Sequence, residues 1–128
     1  MQIGKLDHVN VRTTKLPEMA AWYSTVLGLT DGPRPNFPFP GAWLYAGDTA
    51  VVHLVAHEGP PSAGSEIDLK LEHFAFTAAG RATFETRLQK AGIEYSTNTL
   101  DAIGIVQFNV NDPDGNHIHI DFDVNDTA

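Results

Sequence analysis

From Ile3 to Arg12 polar and apolar residues alternate, with Leu6, His8, Asn10 and Arg12 on one side and Asp7, Val9 and Val11 on the other. Period two is the signature of a strand, so residues 3–12 are predicted to be one. The period then lengthens. Met19, Trp22, Tyr23, Val26 and Leu27 recur at helical spacing, Pro17 suits a first turn, and Gly28 suits the position just past a helix end. The run DGPRPNFPFPG at 31–41 holds four of the eight prolines and reads as a loop carrying Phe37 and Phe39, because proline neither continues a helix nor donates to a ladder. Ala42–Tyr45 and Ala50–Ala56 follow as strands around the turn Ala46-Gly47-Asp48-Thr49. Residues 57–67, rich in Gly, Pro and Ser, have the composition of a linker.

The same order then recurs. Leu71–Thr77 is predicted to be a strand, and Ala79–Ala91 a helix with Phe84, Leu88 and Ala91 on one face and Gly92 after it. Ile93–Ser96 and Ile103–Val110 read as strands, and Asp112-Pro113-Asp114-Gly115 as a tight turn. Beyond the turn His117, His119 and Asp121 fall on one face of a strand, with Ile118, Ile120 and Phe122 on the other. Leu6-Asp7-His8-Val9 matches Leu71-Glu72-His73-Phe74 at an offset of 65 residues, and Val52-His53-Leu54 matches Ile118-His119-Ile120 at 66. Matching offsets indicate an internal repeat. The prediction is an α+β chain of two βαβββ modules, 1–58 and 71–128, joined by a linker over 59–70.

Composition narrows the possibilities. A chain of 128 residues with 42% apolar and 19% charged residues has enough material for a core and is not composed like a disordered segment. It has no cysteine, which removes disulfides, thiolate metal sites and cysteine nucleophiles and is compatible with a reducing compartment. The net charge of −8, with Asp121, Asp123 and Asp126 near the end, disfavours nucleic acid and anionic membranes as partners. No apolar run approaches the roughly 20 residues of a membrane span, and the first residues lack the pattern of a signal peptide, so a cytoplasmic location is expected.

The residues LDHVNVRT at 6–13, WYSTVLGL at 22–29, GAWLY and VVHL within 41–54, LEHFAFT at 71–77 and DPDGNHIHI at 112–120 together resemble the vicinal oxygen chelate superfamily. That superfamily includes glyoxalases, extradiol ring-cleaving dioxygenases and bleomycin resistance proteins. The resemblance implies paired βαβββ modules forming an open, curved mixed sheet with its helices outside, and a divalent metal on the concave face. It also implies ligands from the first and last strands of the modules, where His8, His53, His73 and His119 stand. Neutral imidazoles suit Fe, Mn, Ni and Zn. The last strand of the family commonly carries a glutamate where this chain has His119, and Asp121, two residues on, is a carboxylate that could orient an imidazole.

On the resemblance to the ring-cleaving enzymes, His8, His73 and His119 are the expected metal ligands and His53 the acid/base, with His53 as a possible fourth ligand. Fe(II) is then the expected ion, with Zn, Ni or Mn as alternatives, and a small aromatic vicinal diol is the expected substrate. Arg12 is a candidate cation for a substrate carboxylate. Phe37, Phe39 and Trp43 could wall an apolar substrate or pack in a core or an interface. His57 reads as a linker histidine, and His117, beside the turn, as a solvent-facing one. A glyoxalase-like lyase or isomerase working through a metal-chelated enediolate is the alternative, and a metal-free drug-binding protein is a third. A homodimer is expected, as short members of the family often complete the site with a partner chain.

Overall fold

In a computed structural model, residues 1–59 and 70–128 are described. Two compact units share the chain, Met1–Ala63 and Gly64–Ala128. Of the linker expected over 59–70, residues 60–69 lie outside those described. Each unit has the order strand, helix, strand, strand, strand. The first contains β1 (Val9–Thr13), α1 (Leu16–Thr25), β2 (Thr30–Gly32), β3 (Gly41–Ala46) and β4 (Thr49–Ala56). The second contains β5 (Phe74–Ala78), α2 (Arg81–Ala91), β6 (Ser96–Leu100), β7 (Ile105–Asn111) and β8 (His117–Asp123), with a single 3₁₀ turn at Asp101–Ile103.

Both units carry a four-stranded mixed sheet, ordered β1-β4-β3-β2 and β5-β8-β7-β6. The first strand of each lies parallel to the last, as a strand, crossover, strand connection requires. The repeat extends to register: Asn10 is the partner of His53 across β1 and β4, and Ala75 that of His119 across β5 and β8. Trp43 faces His53 and Asn109 faces His119 in the same equivalent way.

Each helix packs on one face of its sheet and leaves the other open. In the first unit Met19, Trp22 and Tyr23 of α1 are buried with Leu44 of β3 and Val52 and Leu54 of β4. In the second Phe84 and Leu88 of α2 are buried with Phe108 of β7 and Ile118, Ile120 and Phe122 of β8, and the Phe84 ring lies 5.6 Å from Phe108 and 5.7 Å from Phe122. Removing apolar side chains of this size from water is what holds helix to sheet, at roughly 1.5–3 kcal/mol per residue. The opposite faces carry the histidines. Among the described residues no helix is long and apolar enough to cross a membrane.

Several predicted boundaries move. β1 begins at Val9 and β5 at Phe74, so His8 and His73 precede their strands rather than lying within them. Residues 1–8 make no ladder bonds, and alternation alone does not reveal which residues have a neighbour to pair with. β2 occupies Thr30–Gly32, where only loop was expected, because the proline-rich character starts one residue later at Pro33. The strand expected at Ile93–Ser96 lies instead at Ser96–Leu100, an exposed edge with no apolar alternation to mark it. Helix ends were easier to place: Gly28 and Gly92 both take positive φ, 73° and 66°, a conformation open to glycine without strain.

Candidate metal centre and its aromatic counterpart

The turn before β8 fixes which way its histidines point. Asp112 is buried and its Oδ1 accepts from the backbone N–H groups of Asp114 (2.9 Å) and Asn116 (3.0 Å), while Oδ2 accepts from the Asn116 side chain (2.8 Å). With Gly115 at φ 84°, these bonds start β8 in a register that sends Ile118, Ile120 and Phe122 into the core. Period two then puts His117, His119 and Asp121 on the open face.

Three imidazoles meet there. His73, His117 and His119 each offer a ring nitrogen, and these atoms all lie within 4.8 Å of one another. The His73 ring stacks on His119 with centroids 3.9 Å apart, and His117 stands edge-on to His119 at 4.7 Å. Glu72 holds two of them: Oε2 accepts from His73 Nδ1, and Oε1 from His117 Nδ1 at 3.0 Å. Donating Nδ1–H to a carboxylate leaves Nε2 of His73 as its lone-pair nitrogen, the usual way a ligating imidazole is oriented. His117 Nε2 also contacts Asn109 Oδ1 at 2.9 Å. Burial, and then the neighbouring His73 and His117, hold the His119 imidazole below its ordinary value of 6.5, which favours the neutral form that a metal requires.

A cleft of about 550 Å³ opens beside the trio, lined by polar groups that include Ser96, Asn98, Asn109, Asn111 and Asn116. Two buried polar atoms on this face have no partner, Asn109 Nδ2 and Asp121 Oδ1. The donor set fits a divalent ion. Metal to imidazole nitrogen bonds are about 2.0–2.1 Å, so donors around one ion stand roughly 3–4 Å apart; to share an ion the three nitrogens, within 4.8 Å of one another, would have to draw together and His117 Nε2 would have to leave Asn109 Oδ1.

The first unit repeats half of this arrangement and replaces the rest. His8 stacks on His53 at 3.9 Å, as His73 does on His119, and its Nδ1 pairs with Asp7 Oδ2 at 2.6 Å as His73 pairs with Glu72. His53 is nearly enclosed and its Nε2–H donates to the Ala50 carbonyl at 3.0 Å, so Nδ1 carries the lone pair. Burial, and then His8, hold this imidazole below its ordinary value. Where the second unit has His117 the first has Val51, and where it has Asn109 the first has Trp43, whose ring stacks on His53 at 4.1 Å. A pocket of about 160 Å³ lies on this face, lined by Asn10, Arg34, Phe37, Phe39, Trp43, His53, Leu54 and Val55.

Of the expected ligands, His8 belongs to the first unit and His73 and His119 to the second, where those two stand together. His117, read from sequence as a solvent-facing residue, is drawn into the cluster; its place on the His119 face was the signal available. In the second unit Glu72, and not Asp121, is the carboxylate that reaches histidine nitrogens. Arg12 stands exposed on β1 opposite Val55 and lines neither cleft, whereas Arg34 lines the aromatic pocket. His57 follows β4, where its backbone N–H donates to Thr13.

The Glyoxalase/Bleomycin resistance protein/Dioxygenase superfamily matches this sequence over residues 5–120. The chain belongs to that superfamily. Solved structures agree with the assignment. A glyoxalase family protein of Bacillus anthracis is 26% identical with a TM-score of 0.77, the alignment covering 96% of this chain and 98% of that one. A glyoxylase/bleomycin resistance protein/dioxygenase domain from Frankia sp. EAN1pec is 20% identical over 95% and 99% of the two chains, with a TM-score of 0.78. Lactoylglutathione lyase from Agrobacterium tumefaciens is 17% identical over 95% and 96%, with a TM-score of 0.70. At those identities the last two establish a shared fold and nothing of the reaction. Among curated protein sequences none matches. Superfamily membership accounts for the doubled βαβββ order, while the imidazole at position 119, the third imidazole at 117 and the shared carboxylate at 72 are features read from this chain itself.

Proposed function

We propose that this protein is a divalent-metal-dependent enzyme acting on a small molecule with two adjacent oxygen atoms, and that its reaction is extradiol-type ring cleavage of an aromatic diol. The observation that carries this reading is the trio His73, His117 and His119, three imidazole donors within 4.8 Å on a sheet face that opens into a cleft. Three protein nitrogens leave coordination positions free, which an iron oxygenase needs for its diol and dioxygen. When bound, the ion supplies Lewis acidity to two neighbouring substrate oxygens.

The residues of the chain do the rest. Glu72 orients two rings, and the rigid strand β8 fixes His117 and His119. His53, with Nε2–H committed to Ala50 and its ring kept neutral by burial, has Nδ1 as the atom able to accept a proton. Fe(II) is the ion of this reading. A lyase or isomerase acting on a non-aromatic vicinal-oxygen substrate, with Zn, Ni or Mn, is the second reading, favoured by the amide and hydroxyl lining of the cleft.

Anaerobic purification with elemental analysis, followed by oxygen uptake on a panel of catechols, tests the choice. Bound iron and diol-dependent uptake are expected. Tightly held Zn or Ni without uptake moves the assignment to the second reading, and a protein that neither contains nor takes up metal moves it to a binding protein for an aromatic drug. Light scattering on the same preparation checks the homodimer proposed for the chain.

A further inference from the structure

We propose that Asn109 is a latch on the third imidazole of the cluster: its amide engages His117 Nε2, the nitrogen a metal needs, and so sets how tightly the centre holds its ion. The inference rests on the reading of His73, His117 and His119 as a metal centre, and adds to it a residue that opposes binding. All of its parts lie within the second unit.

The three rings differ in what already holds them. Among the described residues His119 has neither nitrogen in a hydrogen bond and His73 has only Nδ1, toward Glu72. His117 has both, Nδ1 with Glu72 Oε1 at 3.0 Å and Nε2 with Asn109 Oδ1 at 2.9 Å. The strands impose this arrangement. Asn111 is the partner of His117 across β7 and β8 and Asn109 that of His119, so Asn109 lies diagonal to His117, a spacing that long side chains bridge. In the first unit the equivalent positions hold Val51 and Trp43, so the third imidazole and the amide that engages it are absent together there and present together here.

The placement of protons gives the latch its direction. Glu72 is an acceptor, so a neutral His117 carries its hydrogen on Nδ1 and a lone pair on Nε2. That lone pair is what a divalent ion takes. It is also what Asn109 takes after a half-turn of its amide, which brings Nδ2–H to where Oδ1 stands, and the same half-turn gives the buried Nδ2 the partner it lacks. Glu72 and Asn109 therefore act on one ring in opposite senses. A carboxylate at the far nitrogen orients the lone pair for ligation, whereas an amide at the near nitrogen competes for it.

Only the fraction of molecules with His117 released offers three donors, and the apparent affinity falls by that fraction. Both side chains line the cleft of about 550 Å³, which gives the ring space to turn. Loss of one neutral hydrogen bond shifts such an equilibrium by roughly two- to tenfold.

Zinc titrations of the full, chelator-stripped chain against a chromophoric chelator test the latch, in the wild type, Asn109→Val, His117→Ala and the double variant. Asn109→Val is expected to tighten zinc binding by roughly two- to tenfold. In the His117→Ala background the same change should have no effect, since the amide acts only through that ring. Unchanged or weaker zinc binding in folded Asn109→Val, or equal tightening with His117 absent, would overturn the latch while leaving the metal centre standing. A wild type that takes up no zinc would remove the metal centre and the latch with it. Imidazole nitrogen NMR spectra of the wild type need no variant. On zinc saturation His117 Nε2 should pass from hydrogen-bonded to metal-bound, with Nδ1 protonated throughout, and a His117 ring unaltered by bound zinc overturns the latch even if Asn109→Val fails to fold.

Discussion

Glu72 does for two histidines what Asp7 does for one, since both of its carboxylate oxygens are occupied by ring nitrogens, those of His73 and His117. Those two hydrogen bonds hold its pKa below the ordinary carboxylate value of 4.5, so it stays ionised wherever the imidazoles are neutral enough to ligate. Losing such an orienting partner typically costs 10- to 100-fold in metal affinity. Glu72→Gln, which keeps the size but loses the charge and one acceptor, is therefore expected to weaken Zn or Fe(II) binding by about that factor, with Glu72→Asp intermediate. Competition against a chromophoric chelator measures it directly, and unchanged affinity in Glu72→Gln would remove the carboxylate from the account of the site.

At the scale of elements, the turn 112–115 decides whether β8 presents histidines or isoleucines to the open face. A slip of one residue would exchange the two faces, because the side-chain period is two. Asp112 resists that slip through three hydrogen bonds to the turn and the strand start. Asp112→Ala is expected to lower stability by about 2 kcal/mol, the cost of leaving buried donors unpaired. In urea unfolding the midpoint should fall while the slope is retained; a wild-type midpoint would mean that the ladder alone fixes the register. The other end of the second unit has a comparable device. Burial pushes the Asp126 pKa up, but backbone N–H donors of Gly80, Ala128 and Arg81 outweigh it and hold the pKa below its ordinary value, so a residue near the end of the chain caps the N-terminus of α2.

For the molecule as a whole, the two lowered imidazoles make stability depend on pH. Above the unfolded value of 6.5 neither His53 nor His119 is protonated in either state, and they contribute no pH dependence. As pH falls through 6.5 the unfolded chain takes up protons before the folded one, so the metal-free protein should lose stability until the folded values are passed. Melting temperature measured between about pH 8 and 5 in the presence of chelator should decline on acidification, and the decline should flatten in a His53→Gln, His119→Gln double variant. A metal-free protein that grows more stable over this interval would contradict the burial of both rings. Bound metal should steepen the loss, since ligation needs neutral imidazoles.

The repeat, the strand–helix order and the core faces could be read from the chain alone, because hydrophobic period and helix-stop glycines are local properties, and matching offsets carry one half's assignment to the other. Gly28 with Gly92, and His8 and His53 with His73 and His119, all did so. Edge strands were not legible: β6 is exposed throughout and β2 has only three residues, so neither leaves a periodic trace. The site divides the same way. That histidines would share faces followed from alternation, but that Glu72 would join His73 to His117, that Asp126 would cap a helix 45 residues earlier, and that Arg34 rather than Arg12 would reach the aromatic rings depends on contacts across strands and loops. Sequence determined which side chains could meet, through their period and kind. Only the tertiary structure decided which did, because side-chain reach and loop path are set by packing between segments that no local pattern connects.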